Sequence, residues 1–198
     1  LELKEQHGGT VTLINVGPAS NDAVIRKGLA IGADDAIRVN MEPQSALTVA
    51  RQIAEVAKAE QYDLVFLGKE TIDYNGSEVG AMLAELLDMP FISFASNMDM
   101  ADPGKAVVTR DIEGGTEQVE LAPPFVISAA KGLAEQRIPN MRGIMMSKRK
   151  PLKVVDPIAA ATDHAVTVHY ELPPEKQDVV LIDPENMDEL VRRLHEEA

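Results

Sequence analysis

Short apolar runs alternate with amphipathic segments through residues 10–89, and this alternation constrains the fold more than any other feature. The runs at 10–17 and 35–39 are rich in β-forming residues, and the run at 62–68 (YDLVFLG) is almost continuously apolar. Residues 44–60 place apolar side chains on one face at helical spacing. Because a helix that joins neighbouring strands of a sheet leaves them parallel, this order predicts an α/β fold with a Rossmann-like parallel sheet.

The pattern changes at residue 91 to short extended runs separated by turn-forming residues. The runs on either side of Gly114 and Gly115 predict a β-hairpin. The C-terminal residues offer too few core-forming positions for an independent domain. We therefore expect an α/β domain at 1–145 and an extended C-terminal arm at 146–198 that packs on another chain.

Composition narrows the class of protein. The formal net charge of −13 argues against nucleic-acid binding, and the absence of cysteine excludes disulfides while being compatible with the cytoplasm. There is no apolar run of about 18 residues, so we expect no membrane insertion. Residues 131–153 carry seven basic residues against one acidic residue. This segment is either a solvated face or a contact surface for an acidic partner.

Patterns that carry catalysis are absent from the sequence. We find neither the HExxH of zinc enzymes nor the GxSxG of serine hydrolases, and the four histidines lie far apart. No pyrophosphate loop of the SGGxDS kind occurs either. We therefore expect no enzyme activity from side chains of this chain.

The loop that follows the apolar run, GKETIDYNGSEVG at 68–80, is a candidate binding site. Parallel sheets bind ligands at the carboxyl ends of their strands, and this loop leads from such an end into a helix. Gly68 permits a sharp turn, Lys69 supplies a cation, and Asn75 to Ser77 are expected to expose backbone N–H groups at the helix start. A phosphate would fit there, although a plain strand-to-helix connection would look nearly the same.

Several segments together resemble the β subunits of electron transfer flavoproteins. In order along the chain they are GLAIGADDAIRV, DLVFLGKETID, VGAMLAELLDMP, FAS, VTRDIEGGTEQVEL, PPFVIS and GIMMSKRKPLKV. The hairpin segment and the basic IMMSKRKPL are the most discriminating. Members of the family usually begin with a further strand and helix. The opening LELKEQHGG is typical of the end of a helix, so we expect the first strand and helix to be absent here.

The resemblance implies an electron carrier that works as a heterodimer. An α subunit would hold most of the FAD, and the pair would carry electrons from acyl-CoA or other dehydrogenases to a quinone oxidoreductase or another acceptor. It also implies the topology of adenine-nucleotide α-hydrolase-like proteins, with AMP buried in the 1–145 domain or a second FAD in electron-bifurcating members. The 146–198 arm would then pack on the α subunit. We expect a cytoplasmic, bacterial protein.

The same resemblance assigns the site residues. Val16 would contact the nucleotide from the first strand end, and the string LAEQRI would dock a dehydrogenase through Leu133 and Arg137. The nucleotide loop would comprise Gly68, Lys69, Glu70, Thr71, Ile72, Asp73, Tyr74, Asn75, Gly76, Ser77, Glu78 and Val79.

Two departures from the family pattern leave alternatives open. The loop ends in Glu78-Val79-Gly80 where the AMP-binding members have Gln-Thr-Gly; we favour AMP, but the valine keeps a second FAD open. A stand-alone adenine-nucleotide-binding module of the universal-stress type is the alternative function. Such a module would have no use for an unsupported arm at 156–198.

Overall fold

The structure is a computed structural model that describes residues 1–158, 166–176 and 178–197. It is an α/β fold, as the alternation of apolar runs predicts. Six helices occur in the described residues: α1 (Glu2–His7), α2 (Asp22–Ile31), α3 (Ala46–Glu60), α4 (Glu78–Leu87), α5 (Met141–Ser147) and α6 (Met187–Glu196). The strands are β1 (Thr12–Val16), β2 (Asp35–Val39), β3 (Leu64–Gly68), β4 (Phe91–Asp102), β5 (Lys105–Ile112), β6 (Gly115–Leu121), β7 (Phe125–Ala129) and β8 (Leu152–Val155).

The strands form two hydrogen-bonded sheets. One is wholly parallel, in the order β1-β2-β8; the other has the order β3-β7-β4-β5-β6, parallel over its first three strands and antiparallel over the last three. Among the described residues, β1 pairs with β2 alone and β3 pairs with β7 alone. Helix α3 contacts β1 and also packs on α4, where Ala50 and Ala54 meet Leu83.

The predicted hairpin is present as β5 and β6. Ile112 pairs with Gly115, so a two-residue turn joins the strands. Gly114 in that turn has a φ of +84°, a conformation that glycine adopts without steric cost.

Helices α2 and α5 cap each other. Arg26 of α2 donates two hydrogen bonds of 2.6 Å to the carbonyls of Ser147 and Lys150 at the end of α5. The ammonium of Lys150 in turn donates to the carbonyls of Leu29 and Ala33 at the end of α2, at 2.9 and 2.5 Å. Cations at helix C-termini satisfy carbonyls that lack an intrahelical partner. Lys150 therefore stabilises this fold and is not simply one residue of a solvated basic face.

The chain divides into two compact units, Leu1–Val166 and Thr167–Ala198. This division differs from the predicted boundary after residue 145 because β8 adds a parallel strand beside β2. In the second unit, α6 is a short amphipathic helix, and the preceding apolar side chains of Val168, Tyr170 and Leu172 are exposed. The described helices include none that combines the length and apolarity needed to cross a bilayer.

Candidate functional site

The first predicted contact, Val16, is the last residue of β1 and is buried. The loop that follows Val16 is held in place by Arg38 of β2, which is only 4% exposed. Arg38 donates to the Gly17 carbonyl at 2.9 Å and to the carboxylate of Asp22 at 2.6 Å, and it also reaches Asn40. These bonds hold the backbone beside Val16 in one conformation.

The nucleotide loop predicted at 68–79 closes on itself through Thr71. The backbone N–H of Thr71 donates to the Gly76 carbonyl at 2.9 Å, and the Asn75 N–H donates to the Thr71 carbonyl at 3.0 Å. The Gly76 N–H donates to the Thr71 hydroxyl at 2.9 Å. Two of the N–H groups expected to face a phosphate are therefore used inside the loop. The remaining candidate donors are those at the start of α4, where the Ser77 side chain makes no capping hydrogen bond.

The tip of this loop presents apolar surface to solvent. Ile72 is fully exposed, and Tyr74 is 71% exposed. The ring of Tyr74 lies over Gly76, where a Cβ would be 2.3 Å from the ring. The loop thus holds two apolar side chains in solvent at its tip.

The charged and helical residues of the loop have distinct environments. The Lys69 ammonium lies 2.8 Å from the carboxylate of Glu70, and the Lys69 backbone N–H donates to the Ala129 carbonyl of β7. Glu78 is exposed at the first position of α4, whereas Val79 is half-buried and packs against the core between α3 and α4. Of the two residues that depart from the family pattern, only Glu78 is exposed.

Phe94 lies at the same edge and was not predicted. In register across the three parallel strands, Gly68 pairs with Ala129 and Ala129 pairs with Ala95. The Lys69 ammonium lies 5.8 Å from the centroid of the Phe94 ring. The letters FAS alone do not mark this phenylalanine, because its position depends on an unusual backbone with a φ of +55° at this residue.

The docking string at 133–138 leaves both predicted residues, Leu133 and Arg137, half-buried and exposes the other four. Leu133 is half-buried, packs against the core of the five-stranded sheet and lines a cavity of about 580 Å³. Arg137 makes two hydrogen bonds to Glu5 of α1, at 2.6 and 2.9 Å, and this pairing holds the pKa of the Glu5 carboxyl below its usual value. Ile138, the last residue of the string, is 86% exposed. The sequence does not reveal that Ile138 is exposed, because its exposure depends on how the loop folds.

The described residues contain no cluster of three or more histidine, aspartate or glutamate side chains arranged to hold a metal ion.

Comparison with known proteins extends the sequence resemblance to the whole chain. Residues 1–160 match the family model of the electron transfer flavoprotein domain. The electron transfer flavoprotein subunit beta of Bacillus subtilis is 32% identical over 211 residues, which cover all of this chain and 82% of that protein. The human subunit beta is 36% identical over 94% of this chain and 75% of its own length, and the mitochondrial subunit beta of Oryza sativa subsp. japonica is 36% identical over 100% and 81%. The chain belongs to the electron transfer flavoprotein family, as a β subunit.

Proposed function

We propose that this chain pairs with an α subunit to carry electrons from an acyl-CoA or other dehydrogenase to a quinone oxidoreductase or another acceptor. The observation that carries the proposal is family membership over the whole α/β unit, at identities of 32–36% to subunit beta proteins. That membership favours the redox subunit over the stand-alone module of the universal-stress type. We place the complex in the bacterial cytoplasm.

The β subunit's own task in this proposal is to hold a nucleotide at the carboxyl edge of β3. The loop at 68–79 suits a phosphate because it is fixed by its own hydrogen bonds and leads into the uncapped N-terminus of α4. Lys69 supplies a cation within the loop. AMP is the nucleotide we favour, and a second FAD is the alternative that Val79 leaves open. FAD held mainly by the α subunit would supply the redox chemistry.

Exposed apolar side chains in the second unit support the proposal that it is an arm that binds a partner. Val168, Tyr170 and Leu172 alternate along an extended segment and are 85–95% exposed, and α6 leaves Val191 and Leu194 more than half exposed. A partner that buries these side chains would supply the hydrophobic stabilisation that the segment lacks in the described chain. We therefore propose that Thr167–Ala198 packs on the α subunit.

The test of this function is co-expression with an α subunit, followed by purification and nucleotide analysis. We expect a heterodimer whose flavin is reduced by substrate only when a cognate dehydrogenase is present. Release of one FAD and one AMP on denaturation would support the ordinary form, and release of two FAD would support the bifurcating form. A chain that stays monomeric beside the α subunit would overturn the proposal.

Docking can be tested separately because Leu133 and Ile138 differ in burial. Leu133→Ala removes core packing, so we expect a lower melting temperature together with slower flavin reduction. Ile138→Ala leaves the core intact, so slower reduction at an unchanged melting temperature would assign docking to the string. If Ile138→Ala and Arg137→Gln both leave the rate of flavin reduction at the wild-type value, docking through this string would be contradicted.

A further inference from the structure

Gln52 of α3 is a polar side chain in a buried position. It is only 2% exposed, and the same helix buries Ala50, Ala54 and Ala57. An amide that is buried without hydrogen-bond partners lowers stability, whereas an apolar side chain of similar size needs no partner. What distinguishes Gln52 from such an apolar side chain is therefore the set of hydrogen bonds that its amide makes.

Both ends of the Gln52 amide bond to the backbone of one residue. The Nε2 group donates to the Ile158 carbonyl at 3.2 Å, and the Ile158 N–H donates to Oε1 at 2.9 Å. Two residues that face each other across an antiparallel ladder exchange the same pair of bonds, so the side chain here stands in for a strand. The partners are 106 positions apart. The pair therefore ties the segment that follows β8 to helix α3.

Burial of side chains does little to hold that segment. Strand β8 ends at Val155, and the next three residues, Asp156, Pro157 and Ile158, are all exposed. Ile158 itself is 41% exposed, although its backbone bonds to one of the most deeply buried side chains of the unit. Pro157 has no N–H to donate. The two hydrogen bonds of the Gln52 amide therefore fix the backbone at Ile158.

We infer that the pair formed by Gln52 and Ile158 sets the path by which the chain leaves the α/β fold, and that Gln52 is thereby a positioning residue for binding of the α subunit. The inference rests on the proposed function, in which the second unit, Thr167–Ala198, packs on that subunit. Buried polar groups whose hydrogen bonds are all satisfied specify one conformation. Here the conformation that they specify is that of the segment leading to the second unit.

The size of the expected effect follows from chain entropy. Fixing the backbone of one residue in a single conformation opposes an equilibrium by a factor of about 5–30. The pair fixes Ile158 before the α subunit binds, so binding does not have to order this residue. Without the pair, the α subunit would have to order at least one more residue. We therefore expect the affinity for the α subunit to fall by about fivefold or more when the pair is lost.

The experiment compares Gln52→Leu with the wild type in the full chain. Leucine fills the buried position without bonding to Ile158, whose N–H and carbonyl can turn to water because the segment is exposed. We expect faster hydrogen exchange at the Ile158 N–H and, by titration calorimetry with a separately purified α subunit, an affinity lower by about fivefold or more. The melting temperature of the isolated chain should be unchanged or higher, because the variant no longer buries an amide. Gln44→Leu is the matched control, since Gln44 is exposed and precedes α3; it should leave all three quantities unchanged.

Ile158→Pro tests the same pair from the other side. Proline removes the N–H that donates to Oε1 and leaves α3 unaltered, so this variant remains informative if Gln52→Leu folds poorly. We expect the affinity for the α subunit to fall as it does in Gln52→Leu. Combining the two substitutions should lower the affinity by less than the product of the single effects, because both remove one interaction.

Gln52→Glu offers a rescue by pH. A protonated carboxyl group has a donor and an acceptor, as the amide does, whereas the ionised group only accepts. Burial raises the pKa of such a carboxyl. The affinity for the α subunit, relative to that of the wild type at the same pH, should therefore be low at about pH 8 and recover toward about pH 5. A ratio that stays low across this range would contradict the role of the two hydrogen bonds.

The possible outcomes separate this inference from the proposed function. If the wild-type chain binds the α subunit and both Gln52→Leu and Ile158→Pro bind it within twofold of wild type, positioning by Gln52 is wrong and the proposed function stands. If the affinity and the melting temperature fall together in both variants, the pair serves folding alone and the inference is wrong. If the wild-type chain does not bind the α subunit, both proposals are wrong.

Discussion

Replacing Lys150 with methionine tests the reciprocal capping of α2 and α5. Methionine keeps an unbranched stem of similar length but removes the ammonium. The carbonyls of Leu29 and Ala33 then lose their charged donor, and both residues are almost completely buried. Water therefore has little access with which to replace the lost hydrogen bonds. We expect the substitution to destabilise the protein.

The size of the expected loss in unfolding free energy follows from the two hydrogen bonds that the Lys150 ammonium donates. A hydrogen bond to a charged group contributes about 1.5–3 kcal/mol, and an unsatisfied buried acceptor costs about 1–3 kcal/mol. The two bonds share one ammonium, and methionine avoids the cost of partly burying a charge, so the two contributions do not add fully. We expect a loss of about 1.5–3 kcal/mol in the free energy of unfolding. For a chain of this size, that corresponds to a melting temperature lower by about 3–12 °C.

The assay is thermal and urea unfolding followed by far-ultraviolet circular dichroism. Lys148→Met is the matched control because the same substitution is made two residues earlier, at an exposed side chain. The control should stay within about 0.5 kcal/mol of the wild type. Arg26→Met combined with Lys150→Met should cost less than the sum of the single losses if the two caps form one clamp. Equal losses in Lys148→Met and Lys150→Met would refute the capping argument.

Three further predictions concern other parts of the chain. Arg38→Met should lower the free energy of unfolding by about 2–3 kcal/mol, because it leaves the Gly17 carbonyl without its buried donor. Urea unfolding measures this loss, and a loss below about 0.5 kcal/mol, which is typical of a surface substitution, would contradict the prediction. Gly143→Ala would place a Cβ 2.3 Å from the Ala30 carbonyl oxygen and should cost about 1–3 kcal/mol, whereas Gly115→Ala meets no atom within 4 Å and serves as the control. Hydrogen bonds from Arg192 and Arg193 lower the pKa of Glu189 to about 2, so the ion pairs of α6 should persist below pH 4.5 and be lost as the pH falls through about 2; a carbon-13 titration of Glu189 with a midpoint near 4.5 would disprove this.

The regular elements were predictable because each depends on local chemistry. The apolar run at 62–68 and the helical face at 44–60 have the periods of a strand and a helix, and both elements occur where expected. The hairpin was signalled by Gly114, which can adopt a positive φ. These features are encoded within a few consecutive residues, so a single sequence suffices to find them.

The remaining features depend on partners distant in the chain. Lys150 looks like one member of a basic run, yet its ammonium bonds residues 117 and 121 positions earlier. Phe94 follows a strand pattern, yet its φ is +55° and its backbone N–H donates to the Ser128 hydroxyl, 34 residues away. Strand β8 was not predicted for the same reason, since it is short and pairs with β2 across more than a hundred residues.

The loop at 68–79 combines local and distant contacts, and these contacts bear on which nucleotide it would accept under the proposed function. Its Thr71 hydroxyl is already committed to the Gly76 N–H, so the loop keeps its shape without a ligand. A preformed loop loses little conformational entropy on binding, and discrimination between nucleotides then depends on the groups left free. Val79 is half-buried in the core, which leaves Glu78 as the exposed side chain at the helix start. Because a carboxylate there would repel a phosphate, we expect the phosphate of the proposed nucleotide to approach from the side of Lys69.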